Sequence, residues 1–476
     1  MESKNTNPSE KETKGVKTLL GDPKKAIITL ALPMIIAMSV QTIYNFVDAL
    51  WVSGFGSYIF SSEIIEGTGK LALAAIGFVL PFYMMGIALS TGLGVGGSSA
   101  VSRRIGAKDK TGADNVAVHS IILTLIIGVF FTIFLFFGAE IIMKWIGAGE
   151  SLVFAISYGK IIFAGSIVIF FLNMATALLR GEGDAKRAMY ALIFGAVLNI
   201  ILDPIFIYTL KLGIAGAAYA TVLSMIITSF ILIYWLFFRK DTYVHFTFKN
   251  FKFKKDVLYD IFKVGLPASF QQLTMSLTLI FINYIIVNLA FAGDAGVAVY
   301  STGWRVVTIA VLPLLGLATA VTSVTGAAYG AKEYKKLNTG FIYSVKFGLI
   351  LEIIIAVSIF LLAPFITLIF TTGQGSEEIA SDLEMFIKIS CFFYPGAAFG
   401  IAASATFQGI GKGVNSLIAT SLRTIILTPI LASVFCCLFI FGLNGIWWGI
   451  VIANLLGSFI SFVWVNFNIS KLQKTI

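Results

Sequence analysis

Twelve long runs of apolar residues, separated by short polar or Gly/Pro-rich breaks, dominate the pattern of this chain. Most of them reach the roughly 20 residues that an α-helix needs to cross a bilayer. The expected spans lie near residues 26–54, 71–102, 116–138, 152–179, 188–209, 213–238, 259–290, 296–328, 339–362, 383–407, 415–440 and 444–468. The pattern therefore predicts an all-α membrane protein with twelve transmembrane helices.

The composition supports a membrane protein. Hydrophobic residues make up 58% of the 476 residues and charged residues only 12%, whereas soluble globular proteins carry roughly 25% charged residues. The net charge of +10 would favour nucleic-acid partners in a soluble protein. In a membrane protein, basic residues instead mark the cytoplasmic loops, so we expect no nucleic-acid partner.

The distribution of lysine and arginine predicts the orientation. On the side of the N-terminus, the tails, loops and adjoining helix ends hold 26 of them, and the opposite loops hold only Lys70, Lys144 and Lys211. Basic residues are enriched on the cytoplasmic side of membrane proteins. We therefore expect both termini in the cytoplasm and a multi-pass protein of the cell membrane.

The two halves of the chain repeat one design. "NIILDP" at 199–204 returns as "TIILTP" at 424–429, and Gly-Ala-Lys follows both the second and the eighth span. Six spans per half give both halves the same orientation, which is typical of parallel repeats with a substrate site between them. The predicted parts are a tail (1–23), a first lobe (24–238), a cytoplasmic linker (239–257), a second lobe (258–468) and a tail (469–476).

Several sequence segments within these repeats are similar to segments of a known family. They are "QTIYNFVDALWVSGFG" in span 1, "LNIILDPIFIY" in span 5, "LGIAGAAYAT" at the start of span 6 and the paired Gly-Ala-Lys loops. With them the chain resembles the multidrug and toxic compound extrusion (MATE) family, DinF-type prokaryotic branch, from Pro33 to about residue 468. The resemblance implies two pseudo-symmetric six-helix lobes in a V around a central cavity (the MATE/MOP fold). It also implies alternating access and antiport of cationic or amphipathic compounds against an ion gradient.

Two acids inside the predicted spans are the main candidates for chemistry. Asp48 lies in span 1 and Asp203 in span 5, at depths where an ionised side chain costs about 2.5 to 3.5 kcal/mol even on the mildest scale. Polar companions share a helix face with each acid: Gln41, Tyr44 and Asn45 with Asp48, and Asn199 with Asp203. A structural alternative remains open for each, because Asp203 precedes a proline and can cap a helix break, and Asp48 can be an interfacial residue.

The resemblance implies roles for these positions. Residues matching Asp48, Asn199, Asp203 and Thr221 form the ion or proton site of the resembled branch, and those matching Tyr44 and Asn173 line its first-lobe cavity. We expect the substrate cavity to include Gln41, Tyr44, Asn45 and Asn173. Two neighbouring carboxylates cannot both ionise cheaply and therefore share a proton. An alkali cation can neutralise the same pair, so the coupling ion is H⁺ or Na⁺, with no other metal and no cofactor.

The second copy of the repeat predicts an asymmetry between the lobes. Thr424 and Thr428 replace Asn199 and Asp203, and a hydroxyl cannot titrate in the physiological range. Ion coupling is therefore expected in the first lobe. Pro33 lies well inside span 1, where proline removes a backbone hydrogen bond and permits a kink. The resemblance implies that this helix bends with protonation, and a static kink is the alternative.

Other classes of function fit less well. The chain has only two histidines and no P-loop, so neither an enzyme nor an ATP-driven pump is expected. The closest alternative is a lipid or lipid-linked oligosaccharide flippase of the same superfamily, which would favour basic residues in its cavity. We expect a monomer whose partners are small-molecule substrates and membrane lipids. No role is assigned to four other charged residues within the spans: Lys160, Arg305, Glu352 and Arg423.

Overall fold

The computed structural model describes residues 13–53, 70–239, 241–246, 252–290, 292–371, 377–437 and 442–474. Within them the regular structure is helical throughout. Ten helices are long and apolar enough to cross a membrane, and two bent helix pairs raise the number of spans to twelve. The all-α fold with twelve spans is therefore confirmed.

The helices of the twelve spans have the following bounds. The first six are span 1 Pro23–Val52, span 2 Lys70–Gly106, span 3 Lys110–Trp145, span 4 Leu152–Ala164 with Ser166–Gly181, span 5 Ala185–Pro204 and span 6 Gly213–Ile233. The second six are span 7 Lys255–Asn288, span 8 Gly293–Gly330, span 9 Tyr334–Phe370, span 10 Ala380–Ser390 with Tyr394–Gly409, span 11 Gly413–Ser421 with Thr428–Cys437, and span 12 Gly442–Gln473.

Several helices are longer than the apolar runs that revealed them. Span 3 begins at Lys110 rather than near residue 116, because Asp109 caps it and accepts a hydrogen bond from the Gly112 amide at 2.8 Å. An N-cap of this kind satisfies an amide that has no partner within the helix. Hydropathy locates the part of a helix that lies in lipid, and the capping residues decide where the helix itself begins.

Spans 4 and 10, expected as single helices, are each broken. The two halves of span 4 meet at Gly165 with a bend of 44°, and those of span 10 meet between Ser390 and Tyr394 with a bend of 54°. In span 10, Pro395 follows directly after the break. Proline is well suited to the first turn of a new helix, because its missing N–H would have no partner there. The corresponding positions of the two lobes thus share one irregularity.

The lobes approach each other closely where spans 2 and 8 end. A Cβ atom added to Gly106 would lie 1.9 Å from the carbonyl oxygen of Ala327, and one added to Gly330 would lie 1.9 Å from that of Arg103. Only glycine permits this approach of two backbones. Spans 1 and 8 and spans 2 and 7 also pack against each other across the lobes. We call the side on which spans 2 and 8 end the N-terminal face, since span 1 begins there.

A short helix that the sequence pattern did not indicate, Lys14–Leu20, precedes span 1. It packs on the first lobe, where a Cβ atom on Gly15 would lie 2.9 Å from the Glu182 carbonyl oxygen. It also contacts the second lobe, since Lys336 donates a hydrogen bond of 3.1 Å to the carbonyl of its last residue. The remaining residues of the predicted tail, 1–12, lie outside the described part of the chain.

The linker between the lobes is attached to the first lobe. The Val244 amide donates to a carboxyl oxygen of Glu182 at 2.9 Å, and the His245 amide donates to Asp114 at 2.8 Å. Arg187 forms an ion pair of 2.5 Å with Asp241. The linker is therefore held by specific backbone hydrogen bonds where it is described. Residues 240 and 247–251 of the predicted linker lie outside those ranges.

Candidate functional site

The polar cluster in the first lobe is built on spans 5 and 6. Asp203 is 0% exposed and lies in the last turn of span 5, with Asn199 one turn before it. The amide nitrogen of Asn199 lies 3.2 Å from a carboxyl oxygen of Asp203 and 3.3 Å from the hydroxyl oxygen of Thr221 in span 6. One amide group therefore links the two helices at the carboxylate.

Span 1 adds the second carboxylate to this cluster. The carboxyl groups of Asp48 and Asp203 lie within hydrogen-bond distance of each other. One oxygen of each, Asp48 Oδ1 and Asp203 Oδ2, is buried without a donor among the described residues. Two ionised carboxylates repel each other at this distance, and a proton or a cation between them removes the repulsion. The cluster thus has the chemistry of a site for a small cation.

Three tyrosines surround the pair of acids. Tyr44 in span 1 lies close enough to Asp48 and Asp203 for both carboxyl groups to act electrostatically on its phenol. The same holds for Tyr158 in span 4. Tyr83 in span 2 lies within range of Asp48. Sequence reasoning identified Tyr44 and missed the other two. In the sequence, each of these two tyrosines is a polar residue within an apolar span, in "PFYMMG" and "ISYGK". A tyrosine in such a span is equally expected at the membrane interface, so the sequence did not single them out.

The residues predicted to line the substrate cavity are distributed differently. Gln41 and Asn45 are exposed on span 1, whereas Asn173 is half-buried in span 4. The Asn173 amide donates a hydrogen bond of 2.8 Å to the Ser90 hydroxyl of span 2. Ser90 was not identified from the sequence. The structure thus gives Asn173 a partner within the first lobe and leaves Gln41 and Asn45 on its surface.

Span 1 is a continuous helix through its internal proline. Pro33 is buried within the helix Pro23–Val52, with helical residues on both sides. Directly after Asp203 and Pro204, span 5 passes into a π-turn, Ile205–Thr209. Such single π-turns occur frequently at functional sites. The irregular backbone next to the carboxylates therefore belongs to span 5.

The second-lobe copy of the repeat has no titratable side chain at the corresponding positions. Thr424 donates to the Thr420 carbonyl at 2.9 Å, and Thr428 donates to the Arg423 carbonyl at 2.8 Å. Both hydroxyls are thus used within their own helix. A π-turn, Leu422–Leu427, precedes Thr428 here, whereas in the first lobe the π-turn follows the proline. The repeat preserves an irregular backbone but not its position.

The second lobe instead contains a neutral hydrogen-bond network, which sequence reasoning missed. The side-chain amide of Gln271 in span 7 donates to Ser404 at 2.8 Å and to Thr420 at 2.7 Å, and its oxygen accepts from Gln408 at 3.0 Å. A network in which each polar group has a partner stabilises a buried packing arrangement. Among the residues that the structure describes, no group of three or more His, Cys, Asp or Glu is suited to hold a metal.

Comparisons with known proteins agree with this architecture. The sequence matches the MatE family over residues 33–205 and 267–434. The multidrug export protein MepA of Staphylococcus saprophyticus is 27% identical over 441 residues, which cover 90% of each chain. A MOP superfamily transporter from Pyrococcus furiosus is 46% identical with a TM-score of 0.91, and the match covers 98% of this chain and 100% of that one.

An outward-facing multidrug resistance MATE family transporter gives the same identity, coverage and TM-score. The match covers both lobes, as the family resemblance implied. It also confirms that the protein is a transporter and not an enzyme. With both halves of its sequence matched to one family and its whole fold matched to solved members, the chain belongs to the MATE family of membrane transporters.

Proposed function

We propose that the protein exports cationic or amphipathic organic compounds, and that protons bound at the first-lobe acids drive this export. The observation that carries the proposal is the pair of carboxyl groups of Asp48 and Asp203, at hydrogen-bond distance inside the first lobe. A bound proton makes the pair a singly charged site, and its release leaves two negative charges that attract a cationic compound. Proton and drug thus compete for the same negative charge, which is the requirement for antiport. The relatives named multidrug export proteins support the class of substrate.

The contacts of Asn199 are compatible with a proton shared by the two acids. Its amide nitrogen, a donor, faces both Asp203 and Thr221, and its carbonyl oxygen Oδ1 has no partner among the described residues. Sodium requires several oxygen ligands, and the Oδ1 of Asn199 is one that it can use. A shared proton needs only the two carboxyl groups. We therefore propose H⁺ as the coupling ion, bound by Asp48, Asp203, Asn199 and Thr221, with Na⁺ as the alternative.

We further propose that the N-terminal face is cytoplasmic, as the charge distribution predicts, and that the protein is a monomer in the cell membrane. The close contacts of spans 2 and 8 then close the cytoplasmic side, so the cavity between the lobes opens outward. The lobes, 24–238 and 258–468, move against each other during transport, and Pro33 serves as a hinge in span 1. Gln41, Tyr44, Asn45 and Asn173 contribute to the substrate cavity of the first lobe.

Transport by purified protein in liposomes tests this proposal. A pH gradient and a sodium gradient are imposed separately, with a fluorescent cationic drug as cargo. We expect the pH gradient to drive uptake, and Asp203→Asn to abolish it. The matched control is Thr428→Val at the corresponding position of the second lobe, which removes a hydroxyl and no titratable group. Uptake driven by sodium alone would refute the proton, and full activity of Asp203→Asn would refute the site.

A flippase of the same superfamily is the second candidate, and Arg423 is the observation that favours it. This arginine of span 11 has a buried Nε without a partner among the described residues, and its Nη1 lies 3.4 Å from the Ser458 hydroxyl. A free guanidinium nitrogen suits a phosphate group. If anionic lipid headgroups inhibit transport more strongly than cationic drugs do, and Arg423→Gln removes that inhibition, the flippase is the better assignment.

A further inference from the structure

One acid in the core of the second lobe takes no part in the site described above. Glu352 lies in span 9 and is 0% exposed, and both of its carboxyl oxygens lack a hydrogen-bond partner among the described residues. The nearby basic residues of spans 9 and 10 do not pair with Glu352, because one is exposed and the other forms an ion pair with a different acid. Lys346, six residues earlier, is exposed, and Lys388 of span 10 pairs with Glu384 at 2.6 Å. Glu352 is therefore a buried acid without a counter-charge among the residues that the structure describes.

The packing of spans 9 and 10 shows what Glu352 faces. One turn before it, a Cβ atom added to Gly348 would lie 3.2 Å from the Cβ of Ala398 in span 10. The two spans run in opposite directions, so the next turn of span 9 meets the previous turn of span 10. That turn carries Tyr394, which is 0% exposed, has a hydroxyl without a partner and lies within electrostatic range of Glu352.

The other walls of this position offer little that could compensate a charge. Cys391 lies in the same break of span 10, and its thiol already donates to the Ile387 carbonyl at 3.2 Å. Span 8 contributes Leu314 and Leu317, whose side chains would contact a Cβ atom on Gly348. The titratable groups that span 10 places on this side of span 9 are therefore Tyr394 and Cys391, and neither is positively charged.

The surroundings of Glu352 decide among three states of its side chain: an ionised carboxylate without a partner, a carboxylate bound to a metal ion, and a protonated carboxyl group. A bare carboxylate without counter-charge or donors is strongly disfavoured in an apolar interior. An alkali or divalent cation requires several oxygen ligands, and here the nearby oxygen atoms are those of one carboxyl group and of the Tyr394 phenol, with no hydrogen bond between them. A proton requires one oxygen atom, and it makes the side chain neutral. When the proton leaves for water, the phenol of Tyr394 can donate a hydrogen bond to the carboxylate.

We propose that Glu352 is a second proton-binding site, located in the second lobe beside the break of span 10. The inference rests on the proposed proton-driven export and extends it, because each lobe then carries a buried acid next to an irregular helix. In the conformation of this structure the site is closed to solvent, and it holds its proton. The hinge between Ser390 and Tyr394 controls its access to water, so the proton exchanges when the two halves of span 10 move relative to each other.

Infrared difference spectroscopy between acidic and alkaline pH tests the site without depending on transport. In the purified, reconstituted protein, protonation of a carboxyl group produces a C=O stretching band. We expect Glu352→Gln to lose one such band that Asp203→Asn retains. The control is Glu384→Gln, which removes the nearby acid that is paired with Lys388 and should leave this band in place. Spectra of Glu352→Gln identical to those of the unmodified protein would overturn the proposal.

A second variant keeps the test valid if Glu352→Gln does not fold. Tyr394→Phe retains the acid and removes the phenol that can donate to its ionised form. We expect the same band to persist in this variant with its midpoint moved to higher pH. A midpoint equal to that of the unmodified protein would contradict the pairing with Tyr394.

The ratio of protons to drug in liposomes separates this proposal from the proposed function. If Glu352 exchanges its proton during transport, Glu352→Gln moves fewer protons per drug molecule while Asp203→Asn loses uptake altogether. An unchanged ratio in Glu352→Gln, with uptake still lost in Asp203→Asn, overturns the second site alone. Full pH-driven uptake by Asp203→Asn overturns the proposed first-lobe site, whatever the spectra of Glu352 show.

Discussion

Arg103 connects the two lobes at the N-terminal face, and its removal provides a quantitative test of how this conformation is held. The side chain extends from the end of span 2 to the second lobe. One guanidinium nitrogen lies 3.4 Å from a carboxyl oxygen of Asp260 at the start of span 7, and another donates to the Gly409 carbonyl at 3.3 Å. The exposed fractions of the Arg103 and Asp260 side chains are 11% and 33%.

The magnitude follows from these two contacts. The ion pair is partly exposed and longer than an ideal hydrogen bond, so we assign it about 1 kcal/mol. The hydrogen bond to the Gly409 carbonyl contributes about 1 kcal/mol. If both exist only while the lobes are closed at this face, Arg103→Gln shifts the equilibrium by about 2 kcal/mol, or roughly 30-fold, toward the state that is open at the N-terminal face.

Distances between spin labels on the ends of spans 2 and 8 measure this equilibrium in nanodiscs. The matched control is Arg104→Gln, because Arg104 pairs with Asp109 of its own lobe at 3.1 Å and should leave the distances unchanged. A double-mutant cycle with Asp260→Asn isolates the ion pair from the hydrogen bond. If Arg103→Gln leaves the distance distribution of the unmodified protein in place, or if Arg104→Gln shifts it equally, the reasoning is refuted.

Three further predictions concern other parts of the molecule. Asn199→Leu removes the amide that donates to Asp203 and should reduce pH-driven drug uptake by about tenfold, as expected for the loss of about 1.4 kcal/mol; unchanged uptake in liposomes would contradict the hydrogen bond. Burial raises the pKa of Glu182, which lies outside the spans, from its ordinary value of 4.5 to about 8, against the effect of the backbone hydrogen bond that it accepts. Between pH 4.5 and about 8 the unfolded chain has released a proton that the folded chain retains. The free energy of unfolding should therefore fall as pH rises to about 8 and then level off. Melting curves of Glu182→Gln should lack this slope. Gly330→Ala should push the lobes apart, since its Cβ would lie 1.9 Å from the Arg103 carbonyl, and spin-label distances equal to those of the unmodified protein would rule this out.

The success of the sequence-based predictions differs between the fold and the site. Hydropathy predicted twelve spans because each transmembrane helix pairs its backbone N–H and C=O groups within itself and presents apolar side chains to lipid. The breaks in spans 4 and 10 did not follow, since the bend of a helix depends on what packs against it. The sequence analysis drew no conclusion from Pro395 in span 10, and a proline alone does not predict a bend of 54°.

The site shows the same division at the level of residues. Asp48 and Asp203 were identifiable because a carboxylate in an apolar run is costly and therefore rare. That their carboxyl groups meet, with the phenols of Tyr83 and Tyr158 nearby, depends on the rotation of four helices about their axes. Hydropathy does not encode that rotation, because a helix that is apolar on most of its surface satisfies lipid and neighbouring helices equally well.

The sequence by itself determined that this protein lies in a lipid bilayer, and it determined the number of spans and the internal repeat. It also determined the asymmetry that gives one lobe an aspartate where the other has a threonine. The tertiary structure alone decided which polar groups meet across helices, Asp48 with Asp203 and Arg103 with Asp260, and it placed Tyr394 near Glu352. The physical reason is that periodicity and composition act along one helix. Contacts between helices depend instead on close packing, which places residues that are distant in the chain within a few ångströms of each other.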